Sequence, residues 1–508
     1  MTTATDPLKV LPIDLFGQVS ARTYTRTMVM FAYCSPTQQQ HGIEQLEDGL
    51  LRVLRRWPFL CGHVTPTQAN ESQQLVGRVE VRYQSSRPEQ QDLNRILTMA
   101  TLTDAQFPSG YSNINYFEGM PSKYLQDQFF FNTPSLTYVD EPMPVFKAQI
   151  TFCAGGLAVA MCTHHAVLDG GARFQVLQEW SRACHSLNPA FKHKFEGVNL
   201  DLDRVDLSPP WPSTPVETSA DIKTLLHDCP EYFQLDDEKP LRYHSEDTLS
   251  RFFVFSGEYV QGLKERINTQ IEADQSLWLS FVSKRRRKTG NDEKMELDPP
   301  PTPVHPKLSS FVCLTALIWH HLMLARLPHL DLTEESTFAT LVDLRARGIA
   351  PENYFPGNAV LHTIAKVPLA KVVSTAPDTL AKLALKIKAA IDAVDEEYVS
   401  KRTKLFASVP DVRRLSNIGE VETIRRGAGM ICSSWTDFGM DTQWDIRGAC
   451  SAKPEFYRKP HAPAVGYACV FPRRKGVESD WEVQLGFEAR DRERLVGGLG
   501  QFTKRIVG

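Results

Sequence analysis

Thr163-His164-His165-Ala166-Val167-Leu168-Asp169-Gly170-Gly171 is the stretch on which the reading of this 508-residue chain turns. A histidine is followed four residues later by an aspartate, then by two glycines. The run ahead of it, Leu157-Ala158-Val159-Ala160-Met161-Cys162, is apolar and predicts a buried strand. From Ala172 to Cys184 the pattern predicts a helix: Phe174, Leu177, Trp180 and Cys184 fall near one face, with Arg173, Gln175, Gln178 and Arg182 off it. His165 therefore stands at a strand end and Asp169 in a glycine-bearing turn into a helix. Such a position is rigid on one side and open on the other, which suits a base. His164 alternates to the opposite face of the strand and is expected to be structural. Cys162, His164, His165 and Asp169 are metal-ligating types, but their side chains diverge along a strand, so no metal site is expected.

The length is too great for one core and predicts two domains of roughly 200–250 residues each. A hydrophobic fraction of 42% suits a globular enzyme, and a net charge of −3 gives no global pull toward nucleic acid or an anionic membrane. Met1-Thr2-Thr3-Ala4-Thr5-Asp6-Pro7 has no basic region leading into an apolar one, and no apolar run reads as long enough to cross a bilayer. The ten cysteines lack CxxC pairing, and Cys153, Cys162 and Cys313 lie in apolar surroundings. They read as reduced core cysteines, and the chain as a cytoplasmic monomer.

Strands and helices alternate in both halves, so the class is α/β. In the first half Met28–Tyr33 predicts a strand. A helix from about Gly42 to Arg56 follows, with Ile43, Leu46, Leu50, Leu51 and Leu54 on its apolar face, closed by Trp57-Pro58. We place the N-terminal domain at 1–190, a proline-bearing crossover at 191–245, and the C-terminal domain at 246–508 with a polar insertion at about 283–305. The insertion holds Lys284-Arg285-Arg286-Arg287-Lys288, which reads as a surface loop or a nuclear signal. A helix from Ser309 or Ser310 carries Leu314, Leu317, Ile318 and Leu322, and its His320 and His321 read as packing residues. Neither short repeats nor a Gly-rich phosphate loop stands out.

With these segments in view, His165-Ala166-Val167-Leu168-Asp169-Gly170 resembles the HxxxDG signature of the BAHD acyltransferases, within the wider superfamily of chloramphenicol acetyltransferase. The resemblance runs in order through Leu11-Pro12-Ile13-Asp14, Trp57–Gly62, Gly155-Gly156-Leu157, Leu308–Trp319, Asp343-Leu344-Arg345-Ala346-Arg347, Tyr354–Asn358 and Ser433-Ser434-Trp435, and its flavour is that of fungal secondary-metabolite members. It implies two chloramphenicol acetyltransferase-like domains, each a mixed β-sheet flanked by helices, with an active-site tunnel between them. The family's second signature is displaced. A literal Asp437-Phe438-Gly439 follows Trp435 too closely, whereas Trp444-Asp445 lies at the usual spacing ahead of Lys453-Pro454-Glu455-Phe456. Spacing favours Asp445 and leaves Asp437 as the alternative, in a structural role either way.

The resemblance implies an acyl-CoA co-substrate, acetyl-CoA first, no permanently bound cofactor, and a hydroxyl-bearing small-molecule acceptor. His165 would remove the acceptor's proton and return it to the CoA thiolate, with no acyl-enzyme. Asp169 would brace the loop through Arg345 or Arg347, and Gly170 would allow its turn. Ser433 and Trp435, with Asn358 behind them, are candidates for the oxyanion or the substrate channel. Two rivals stand beside this reading: a stand-alone condensation-type domain using carrier-protein thioesters, and a non-catalytic binding protein on the same scaffold. His164-His165 fits the condensation pattern, but Gly171-Ala172 replaces its usual tryptophan-serine.

Overall fold

The computed structural model describes residues 8–67, 76–107, 110–113, 120, 125–133, 141–188, 221–235, 247–273, 307–351, 354–417, 427–459 and 464–508. The insertion at 283–305 and much of the crossover lie outside the described residues. The first half contributes β1 (Leu8–Pro12), β2 (Tyr24–Ala32), β3 (His63–Pro66), β4 (Val79–Gln84), β5 (Leu97–Thr101), β6 (Met143–Pro144), β7 (Phe146–Cys153) and β8 (Gly156–His164). The crossover supplies β9 (Tyr232–Gln234). The second half supplies β10 (Thr248–Phe255), β11 (Glu335–Asp343), β12 (Val360–Pro368), β13 (Leu415–Asn417), β14 (Gly429–Ser434), β15 (Phe456–Arg458), β16 (Tyr467–Val470), β17 (Trp481–Glu488) and β18 (Arg505–Val507).

Two mixed sheets dominate. The first runs β15-β2-β8-β7-β5, and the second β12-β11-β14-β16-β17-β10-β18. The strand ahead of His165 is buried along its whole length because both of its faces are covered. Leu157, Val159 and Met161 pack with Leu46, Leu50, Leu54 and Trp180 from the helices Gln39–Arg56 and Gly170–Leu187. Ala158, Ala160 and Cys162 turn the other way, toward Met28, Met30, Tyr111 and Phe130. The two helices approach closely at Gly49, where a Cβ would come within 2.6 Å of Cys184 Sγ.

The second half does not keep to itself. Its β15 pairs antiparallel with β2, with Tyr457 opposite Val29, and so forms an edge of the first half's sheet. The 246–508 segment therefore contributes to both sheets. The helix Ser310–Arg326 starts at Ser309, whose Oγ accepts the Val312 N–H at 3.3 Å. His320 on that helix reaches the Val372 carbonyl at 2.6 Å, and His321 packs on Phe502.

Two expectations need correction. Ser310–His329 is long and apolar enough by composition to cross a membrane, with mean hydropathy 1.4. Leu314, Leu317, Ile318, Trp319 and Leu322 are nevertheless buried in the second half's core, so protein replaces lipid around that face. Not all cysteines are reduced: Cys34 and Cys450 are disulfide-bonded, their Cα atoms 5.3 Å apart, because Cys34 follows β2 and its N–H bonds the Gly448 carbonyl two residues before Cys450. The other eight form no disulfide.

Candidate active site

His165 is the first residue past β8. Its N–H donates to the Thr23 carbonyl at 2.9 Å, which extends the β2–β8 pairing beyond Tyr24 and His164. His164 turns to the opposite face, edge-on to the Tyr24 ring, and its Nδ1 accepts the Ala166 N–H. His165 is half-buried, and its Nδ1 is buried without a hydrogen-bond partner. Burial lowers its pKa from the ordinary 6.5, its own backbone carbonyl and Asp169 raise it, and Arg173 and Lys459 lower it. The net downward shift keeps the imidazole neutral near pH 7, the form that accepts a proton.

The loop behind it is fixed from both halves. Asp169 is 1% exposed and caps the helix Gly170–Leu187, its Oδ1 accepting the Ala172 N–H at 2.8 Å. Arg345 meets the same carboxylate through two nitrogens, Nη1 to Oδ2 at 2.9 Å and Nη2 to Oδ1 at 3.2 Å. Ala359 N–H adds a bond to Oδ2 at 2.8 Å, so both carboxylate oxygens are taken up by Arg345 and by backbone N–H groups. Arg347 does not take part. It donates to the Val394 and Ile391 carbonyls instead. Gly171 leaves room for the pair: a Cβ there would lie 3.2 Å from Arg345 Nη1. Gly170 does the same for Phe438, whose ring a Cβ would meet at 2.9 Å.

Asn358 was expected near an oxyanion, and the structure corrects this. Its Nδ2 donates to both the His165 and the Ala166 carbonyls at 3.1 Å, which uses its two side-chain N–H groups on the loop backbone. Its own N–H bonds Asp14 Oδ2 at 3.1 Å, and the Tyr354 hydroxyl donates to the same oxygen at 2.7 Å. Burial pushes Asp14 up to about 6 against these donors. Asp14 also caps its own short helix through the Gly17 N–H. The sequence marked Leu11–Asp14 without giving Asp14 a task; its spacing three residues ahead of Gly17 is the one local signal that a cap stands there.

Ser433 and Trp435 stand at the end of β14. Ser433 Oγ lies 3.0 Å from the Tyr467 hydroxyl, and Trp435 holds the Arg173 guanidinium 4.6 Å above its ring. Asp437 is exposed on the turn that follows, while Phe438 stacks on Phe174. Asp445 is tied in: its carboxylate meets His185 Nδ1, and its carbonyl accepts from Gln45 and Asn188. Its φ of +49° and the buried Trp444 against Trp180 fix that turn beside the helix Gly170–Leu187. Among the described residues no three or more His, Cys, Asp and Glu gather as a metal site. Sequence reasoning missed Arg173, Lys459 and His362, the last lying close enough for His165 to help hold it at about 4, after burial.

The chain matches two family models: the trichothecene 3-O-acetyltransferase-like N-terminal domain over residues 23–184, and the Transferase family over residues 112–484. It is similar to the O-acetyltransferase cpsE of Aspergillus campestris, 26% identical over 79% of this chain and 78% of that one. It is 21% identical to the trichothecene 3-O-acetyltransferase TRI101 of Fusarium sporotrichioides, over 96% and 94% of the two chains. Among solved structures it resembles F. graminearum TRI101 complexed with coenzyme A and T-2 mycotoxin, with a TM-score of 0.70 at 18% identity, covering 98% and 99% of the chains. Vinorine synthase shares the fold at a TM-score of 0.57.

Proposed function

The chain belongs to the Transferase family, and from that premise we propose that it is an acyl-CoA-dependent O-acyltransferase, moving acetyl from acetyl-CoA to a hydroxyl of a secondary metabolite. The observation that carries this is a neutral, half-buried His165 whose loop is clamped by Asn358 and Arg345 from the other half of the chain. A base held this way meets an acceptor and a thioester that bind together between the halves, so positioning supplies much of the rate. The acceptor oxygen attacks the thioester carbonyl carbon as its proton passes to the His165 ring. The C–S bond then breaks, and the imidazolium gives that proton to the departing thiolate. Ser433 and Tyr467, whose hydroxyls share one proton in their 3.0 Å contact, can turn the other toward the oxyanion, with Trp435 walling the channel. Asp445 and His185 brace the second-signature turn.

The named relatives are fungal O-acetyltransferases, one of them named for a trichothecene, and their agreement with the His165 geometry supports acetyl as the group and a small molecule as the acceptor. The monomeric state and the cytoplasmic setting belong to the same proposal; eight of the ten cysteines form no disulfide, as a reducing compartment would leave them. Offering free acetyl-CoA and an acetylated carrier protein in parallel tests the reading. We expect turnover with acetyl-CoA at least 100-fold above that with the carrier; the reverse preference would restore the condensation-type rival.

The pH profile follows from the shift on His165. Its folded pKa lies below 6.5, so the basic form dominates above that value and is lost only as pH falls further. The acid limb of kcat/KM is expected to have its midpoint below pH 6.5 and to be flat through pH 7. A midpoint above 6.5 would mean that burial does not govern this group.

A further inference from the structure

We propose that Arg173 and Lys459 form a receptor for an anionic oxygen group, a carboxylate or a phosphate, carried by one of the two substrates beside His165. Arg173 falls off the apolar face of its helix in sequence, yet it is 1% exposed. The helix Gly170–Leu187 lies across β2 and β8, and the side chain runs inward to Thr27, whose Oγ1 takes Nη1 at 2.9 Å. Nε and Nη2 are buried and have no hydrogen-bond partner. These two nitrogens form one edge of the guanidinium, the fork that receives a carboxylate or phosphate through two parallel bonds.

The second cation arrives by strand register. β15 pairs Tyr457 with Val29 and Arg458 with Met28, so the next residue, Lys459, comes level with Thr27, the residue that holds Arg173. Lys459 Nζ sits 5.6 Å from the Trp435 ring centre and 5.5 Å from that of Tyr467, while Arg173 Cζ sits 4.6 Å from the same Trp435 ring. Two positive charges thus share one indole, and among the described residues neither makes an ion pair with a carboxylate. The ring face attracts both cations but takes up none of the N–H donors at the guanidinium edge. Like charges held together out of water repel, and a bound anion removes that penalty. Thr27, Met161 and Thr163 share the sheet face with His165, and both cations act on the His165 ring, so the anion would bind within the reacting space.

The proposal rests on the acyl-transfer reading only for assigning the anion to a substrate, and its test measures binding rather than turnover. Calorimetry on the full chain uses four anionic probes (inorganic phosphate, malonate, CoA and malonyl-CoA) and the uncharged pantetheine as control. Arg173→Gln and Lys459→Gln are each expected to weaken at least one anion tenfold or more and to leave pantetheine unchanged. Loss of phosphate with CoA unchanged assigns the receptor to a phosphate on the acceptor; loss of malonate, or of malonyl-CoA beyond CoA, assigns it to a carboxylate; CoA weakened as much as phosphate would put the anion a pantetheine arm away from His165 and overturn its placement there. Arg173→Lys keeps the charge without the fork and serves if the glutamine variant does not fold. The proposal is overturned if the native protein binds none of the anions, if the variants bind them all as tightly, or if pantetheine weakens equally.

Discussion

Replacing His165 by alanine is expected to lower kcat by roughly 100- to 10,000-fold, the usual contribution of a positioned general base. The change should leave the fold intact. His165 is half-buried, its ring Nδ1 bonds nothing, and the contacts that fix the loop run through its backbone N–H and carbonyl, which alanine retains. A melting curve close to the native one, together with the lost turnover, separates chemistry from collapse. The comparison with Arg173→Gln is informative, since that residue touches the ring's electrostatics and not its hydrogen bonds. A His165→Ala protein that acetylates at near-native rate would transfer the proton duty to another group and leave the binding-protein rival without support as well.

Arg345→Ala is expected to produce the second large effect, this time on stability. It strips a carboxylate that is buried at the junction of the two halves of its bidentate partner, at a cost of about 3–5 kcal/mol. Asp169 also caps the helix that follows His165, so activity should fall with stability as the loop loosens. Urea denaturation reads the loss directly. Arg347→Ala, two residues on, removes only bonds to two helix-end carbonyls and should cost roughly 0.5–1.5 kcal/mol. Equal costs for the two arginines would show that the ion pair is not what holds the loop. A double variant, Asp169→Asn with Arg345→Gln, should be less damaging than Arg345→Ala alone, because no charge is left buried without a partner.

Local pattern made the strand, the turn and the helix around His165 readable, because buried strands and amphipathic helices write their faces into the sequence. The cap by Asp169 went unread, although an aspartate just ahead of a helix is the pattern of an N-cap. What spacing could not choose was the arginine: Arg345 and Arg347 are two residues apart, and only the path of the chain after β11 decides which reaches Asp169 176 residues away. Asn358 misled for a related reason. An amide near a catalytic loop suits an oxyanion in pattern, yet its donors are taken by the loop carbonyls once the halves meet. Arg173 was hidden most thoroughly. A charged residue off a helix's apolar face reads as solvated, and nothing local reveals that strand β2 and Trp435 enclose it. Asp445 and His185 lie 260 residues apart, so their contact too belongs to tertiary packing.

The most direct test of the central claim follows where an isotopically labelled acetyl group goes. The protein is incubated with trideuteroacetyl-CoA, with and without a panel of hydroxylated terpenoids and polyketides, and both the intact protein and the small molecules are weighed by mass spectrometry. Direct transfer governed by His165 predicts label on an acceptor hydroxyl, one free CoA for each acetyl moved, and no mass added to the protein when the acceptor is withheld. Label that accumulates on the protein, or an acetylated product formed equally by His165→Ala, would contradict it.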